Sequence, residues 1–126
     1  MIIPAADNMG LREDDVSVLI PLVRNVNDKG SLFAGSIFSG ATLAAYRATE
    51  RLFESRKLTG ELVAKTATIN YLRRIATDGF AQATPISEPI LKPNGNYTIS
   101  MNVRVIDTDG MCGAELTAEF ILLPKR

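Results

Sequence analysis

The residues best suited to chemistry lie between Asn25 and Ser39, where a polar run, Asn25-Val-Asn-Asp-Lys-Gly30, meets a segment dense in small side chains. A helix that begins there presents free N–H groups and a partial positive charge at its first turn. Glycine lets a ligand carbonyl come close to such a backbone. Gly35 beside Ser36 is therefore placed to offer N–H groups to a carbonyl oxygen on which negative charge develops. Asn27 and Asp28 stand just upstream, an amide and a carboxylate able to polarise a substrate or a water. The same spacing also describes a capped helix behind an ordinary Asn/Asp/Gly turn, and spacing by itself favours that plainer reading.

Composition narrows the chemistry further. The 126 residues contain no histidine. That removes the Ser-His-Asp triad, the Cys-His pair, the common zinc sites and any imidazole acid or base. A single cysteine, Cys112, excludes an internal disulfide and a thiolate metal cluster, and beside a turn it is given no catalytic role. No metal and no cofactor are expected. An enzyme built from this chain works with carboxylates, amides, hydroxyls, backbone N–H groups or lysine.

Lysine plus arginine and aspartate plus glutamate both total 14, so no general attraction to nucleic acid or to an anionic membrane is expected. No apolar run approaches the ~20 residues needed to span a bilayer. The start, Met1 to Gly10, lacks the basic and apolar regions of a secretory signal, and a cytoplasmic location is expected. With 46% hydrophobic and 22% charged residues, a single packed domain over 1–126 is expected rather than disorder.

The elements that must position these residues follow from periodicity. Asp7 to Asp15 reads as a polar lead-in and Val16 to Val23 as a strand, with Val16, Val18, Ile20 and Leu22 on one face and Pro21 as an irregular position. One long helix is expected from about Leu32 to Glu54, with Ser31 as its N-cap. Its first half is apolar nearly all round, so it is expected to be buried nearly all round. Gly35 and Gly40 each cost about 1 kcal/mol of helix propensity, which close approach of a backbone or ligand would offset.

Beyond Gly60 the chain reads as strands. Glu61 to Ile75 alternates, with Leu62, Ala64, Thr66, Thr68, Asn70 and Leu72 on one side and Val63, Lys65, Ala67, Ile69 and Tyr71 on the other. Phe80 to Thr84, Tyr97 to Ile106 and Gly113 to Leu123 follow, with Pro85 to Pro93 as an irregular crossing and Asn94-Gly95 as a hairpin turn. One long helix covered by an antiparallel sheet is an α+β architecture. The helix is too apolar for one sheet face to cover, so a homodimer with paired sheets and paired helices is expected.

The run Pro21-Leu-Val-Arg-Asn-Val-Asn-Asp-Lys-Gly-Ser-Leu-Phe-Ala-Gly-Ser36 resembles the signature loop of the YiiD C-terminal family of putative thioesterases. Asn70-Tyr-Leu-Arg-Arg-Ile75 resembles that family's strand after the helix, and Ile3-Pro4 with Met9-Gly10 its short lead-in. The resemblance runs through roughly the first two thirds of the chain and fits the element order of the rest. It implies the hotdog fold: a long central helix wrapped by a sheet of about five strands, two copies joining as a double hotdog with active sites at the dimer interface. It implies an acyl-CoA or acyl-carrier-protein thioester as substrate, in fatty acid or polyketide metabolism, and a homodimer or a tetramer as the assembly.

Carried over by position, Asn27, Asp28 and Gly35 become the catalytic candidates. Substrate-binding candidates are Phe33, Ser36, Ser39, Thr42, Tyr71 and Arg73. Two departures stand out: position 28 is often histidine in relatives and position 34 is commonly glycine, whereas this chain has Asp28 and Ala34. The short N-terminal segment also implies that one pocket wall is missing or differently built. In the implied reaction the carbonyl binds at the helix N-terminus, the Gly35 N–H stabilises the oxyanion, Asp28 orients or deprotonates water, and Asn27 holds the water or the carbonyl. Ser39 and Thr42, one and two turns along the helix, line the site or simply pack. Tyr71 reaches the pocket or caps the core. Arg73-Arg74 with Arg56, Lys57 and Lys65 meet CoA phosphates or an acidic carrier protein, or are solvated charge.

Two alternatives remain open at this point. Malonyl-thioester decarboxylation would use the same oxyanion site for an enolate. A non-catalytic dimer that binds acyl ligands or serves in assembly would be favoured if Asp28 pointed away from the pocket.

Overall fold

The computed structural model describes residues 3–14 and 17–125. Its longest helix forms where the small and apolar residues crowd. In chain order the elements are α1 (Pro4–Asn8), β1 (Arg12–Glu13), β2 (Val18–Ile20), α2 (Leu22–Asn25), α3 (Ala34–Ser55), β3 (Gly60–Tyr71), β4 (Gly79–Pro85), β5 (Ile90–Leu91), β6 (Tyr97–Ile106) and β7 (Cys112–Pro124). The strands form one antiparallel sheet of seven, in the order β1-β2-β4-β6-β7-β3, with β5 paired to β6. Helix α3 packs across β4, β6, β7 and β2. The core between them holds Ile37, Ala41, Ala44, Ala45 and Phe53 of the helix against Met101, Val103, Leu116, Phe120 and their neighbours. Gly40 permits that approach: a Cβ there would stand 2.4 Å from the Ile20 side chain.

The expected α+β fold is present, with corrections at its margins. The lead-in contains α1, started by Pro4 in the first turn, where the missing N–H costs nothing. The first strand covers only Val18–Ile20, because Pro21 ends it and Leu22–Asn25 turns into α2. Asp78 satisfies the start of that helix by accepting the Leu22 N–H at 2.8 Å. Val16 lies outside the described residues. Helix α3 begins at Ala34 rather than Leu32, and its N-cap is Phe33, which has no capping side chain. Ser31 is not the cap. It bonds back to Asn27 instead. The sheet also gains two short strands beyond the expected five.

The correction with most consequence lies in β3. Its register against β7 shifts between Ala64 and Thr66, leaving Lys65 as a bulge. A bulge exchanges the two faces of a strand. Leu62 and Ala64 pair with Leu122 and Phe120 before it, and Ala67, Ile69 and Tyr71 pair with Ala118, Leu116 and Ala114 after it. All these β7 residues are buried core positions. The expected single alternation from Leu62 to Leu72 therefore breaks at Lys65, and Tyr71 faces the helix side. The strand ends at Tyr71, four residues earlier than expected, as the chain bends to bury Ile75.

Candidate functional site

The loop before α3 is built by Asn25 and Asn27. Asn25 is buried; its amide donates to the carbonyls of Met9 at 2.9 Å and Pro21 at 2.8 Å, and its own carbonyl accepts the Phe33 N–H. This ties the end of α1 to α2 and to the helix start. Asn27 folds the turn itself. Its Oδ1 accepts from the N–H groups of Lys29 at 2.8 Å and Ser31 at 3.1 Å, and its Nδ2 donates to Ser31 Oγ at 3.0 Å. Both ends of the Asn27 amide are thus engaged within the loop.

Above that turn α3 starts without a side-chain cap. Ser36 and Ile37 donate back to the Phe33 carbonyl, at 3.0 and 3.1 Å. Among the described residues no acceptor stands on the N–H of Ala34 or Gly35, and both residues are exposed. An unfilled helix start of this kind attracts negative charge. The exposed ring of Phe33 lies beside Gly35 so closely that a Cβ there would meet it at 2.6 Å. Glycine at 35 is what lets the ring and the open backbone coexist.

Tyr71 completes this end. The bulge in β3 turns it toward α3, and its hydroxyl donates to the Ala34 carbonyl at 2.9 Å. Burial pushes the phenol above its ordinary range, so it remains a donor through neutral pH. The strand therefore pins the first residue of the helix whose N–H is open.

The remaining candidates fall into three groups. Ser39 donates to the Gly35 carbonyl at 2.9 Å and, with Thr42, lines an apolar cavity of about 330 Å³ beneath α1. Ser36 is buried beneath the first turn. Asp28 stands apart: its side chain is 84% exposed and pairs with Lys29 at 3.2 Å, so within one chain it faces solvent. Arg73 is exposed beyond β3, with its N–H bonded to the Gly113 carbonyl. Of the other basic candidates, Arg56 pairs with Glu88 and Lys65 with Glu119. The structure thus brings Phe33, Gly35, Ser36, Ser39 and Tyr71 together, and leaves Asp28 and Arg73 at the surface. Asn25 was missed as a positioning residue; its only signal in sequence is a second asparagine two places before Asn27. Among the described residues no cluster of acidic, cysteine or histidine side chains could hold a metal ion, and no helix is long and apolar enough to cross a membrane.

A long helix wrapped by one curled antiparallel sheet, with an uncapped helix start at the sheet's rim, defines a hotdog-type domain. Solved structures share that fold. A thioesterase candidate from Shewanella oneidensis superposes with a TM-score of 0.84 at 22% identity, covering 97% of this chain and 89% of its own. An esterase candidate from Mycobacterium tuberculosis gives 0.83 at 14% identity, covering 98% and 99%. A Bacillus halodurans protein solved with CoA gives 0.78 at 17% identity, covering 98% and 78%. No curated protein matches the chain. The chain belongs to the YiiD C-terminal family, described as "putative thioesterase", whose profile matches residues 2–124.

Proposed function

We propose that this protein hydrolyses an acyl-CoA or acyl-carrier-protein thioester at the start of α3. The observation that carries this reading is the open pair of N–H groups on Ala34 and Gly35, framed by Phe33 and fixed by the Tyr71 hydroxyl. The thioester carbonyl oxygen accepts from those donors, which strengthen as it becomes an oxyanion. Water attacks the carbonyl carbon, the C–S bond breaks, and the thiol leaves with a proton. Asp28 orients that water and takes its proton. Asn27 acts by shaping the turn that carries Asp28, since its amide is already engaged.

Asp28 needs a second surface to close over it, and a homodimer supplies one. Among the described residues β3 is paired on one side only, by β7, and most of its side chains are exposed. An unpaired edge of twelve residues invites a second copy to continue the sheet. The CoA bound to the Bacillus halodurans neighbour supports a thioester-bearing ligand for this fold.

The test is thiol release from a panel of acyl-CoA and acyl-carrier-protein thioesters, with products identified by mass, for the wild type and for Asp28→Asn. Release that falls at least tenfold in the variant supports hydrolysis with Asp28 as base. Solvent exposure of Asp28 favours a second reading, an acyl-binding dimer without catalysis. That reading takes over if a folded dimer binds acyl ligands and releases no thiol. Loss of carbon dioxide from malonyl thioesters without thiol would instead mark a decarboxylase.

A further inference from the structure

The unused feature of the molecule is the apolar cavity under α1. Positions 35, 39, 42 and 46 follow helical spacing and so share one stripe of α3. The stripe begins at the open Gly35 N–H. Ser39, Thr42 and Tyr46 then line the cavity, facing Ala6 and Met9 on the α1 side and Phe120 of the sheet. The Thr42 hydroxyl is buried in this wall with no hydrogen-bond partner.

The cavity also has a floor. Tyr46 lines it and lines the larger groove beyond, which runs past Phe53 to Leu62. The Tyr46 ring is fixed edge-on to Phe120, with centroids 6.1 Å apart, and Arg47 lies 5.8 Å over its centroid. An anchored aromatic ring between two cavities stops whatever enters the first from passing into the second.

Resting on the reading of a thioester carbonyl at Gly35, we propose that this cavity takes the hydrocarbon part of a medium-length acyl chain, and that Tyr46 sets its maximum length. A cavity of roughly 150 Å³ holds the six carbons of benzene. By that ratio the 330 Å³ here holds about thirteen carbons. The α1 segment, tied down at Met9 by Asn25, is the outer wall.

The test separates chain binding from hydrolysis. Sodium alkanoates of six to sixteen carbons, below their micelle concentrations, are titrated calorimetrically into the full chain. Affinity rises to a maximum at about twelve to fourteen carbons in the wild type. Tyr46→Ala, which joins the cavity to the groove, moves the maximum to longer chains, and Ala6→Phe moves it to shorter ones. Tyr46→Leu serves if Tyr46→Ala does not melt cooperatively, and gives a smaller shift in the same direction. Affinity independent of chain length, or one maximum shared by all folded variants, overturns the proposal. So does an absence of alkanoate binding. A chain-length maximum without thioester cleavage sustains the cavity and removes hydrolysis. Equal cleavage of all chain lengths without alkanoate binding does the reverse.

Discussion

The two ends of α3 are finished in opposite ways. At the C-terminal end the chain supplies its own partners to the helix. Thr49 donates to the Ala45 carbonyl, Phe53 packs edge-on to Tyr97, and the N–H groups of Arg56, Lys57 and Leu58 return to Phe53 and Glu54. Arg47 is held between Glu13 and Glu50 at 2.8 Å each, and the hydrogen bond to Glu50 leads in raising its pKa. At the N-terminal end two N–H groups are left open, the cap position is an exposed Phe33, and the first residues stand in solvent. Buried backbone groups are nearly always paired in folded proteins, and helix ends draw partners when the chain supplies them. The contrast fits the proposed reading, in which one end of the helix is built for stability and the other presents its N–H groups to a ligand oxygen.

Substitutions at each end should therefore separate folding from function. Phe53→Ala is the largest expected effect: loss of about 3–5 kcal/mol of stability by denaturant unfolding, with turnover per folded molecule unchanged. Gly35→Val comes next. Its side chain meets the Phe33 ring and covers the open N–H groups, so thiol release falls about a hundredfold, the scale of losing one oxyanion donor. Gly35 is exposed, so its melting temperature should move far less than that of Phe53→Ala.

Asn27→Ala leaves the N–H groups of Lys29 and Ser31 without their shared acceptor, and should lower stability by about 1–3 kcal/mol. Asp28→Asn, by contrast, should lower activity without changing the unfolding midpoint, because its side chain is solvated. The two neighbours thus tell loop scaffold from chemistry. Tyr71→Phe is the smallest effect, about 1 kcal/mol for one hydrogen bond and a few-fold in rate. It also carries a pH signature. Burial holds the folded pKa of Tyr71 above the ordinary phenol value of 10.0, so its contribution is complete below about pH 10. It is lost as pH rises through the folded value, and Tyr71→Phe should remove that alkaline loss.

The sequence showed the long helix, the three C-terminal strands and the polar loop because each follows a local rule. Small residues at helical spacing announced α3, and Asn94-Gly95 announced its hairpin. What it concealed depends on partners distant along the chain. The Lys65 bulge leaves no local mark, since a bulged strand and a regular one read alike until the register with β7 is known. Without it Tyr71 falls on the wrong face. The orientation of Asp28 was equally hidden, because a carboxylate in a turn reads the same whether it faces solvent or a pocket. The wall supplied by α1 was invisible for another reason: five residues are too few for periodicity to register.

The most direct test of the central claim is a crystal structure of the protein with a decanoyl-CoA analogue whose thioester sulfur is replaced by methylene. The carbonyl oxygen is expected within hydrogen-bond distance of the Ala34 and Gly35 N–H groups. A carbonyl bound elsewhere, with those two groups still open, would contradict it.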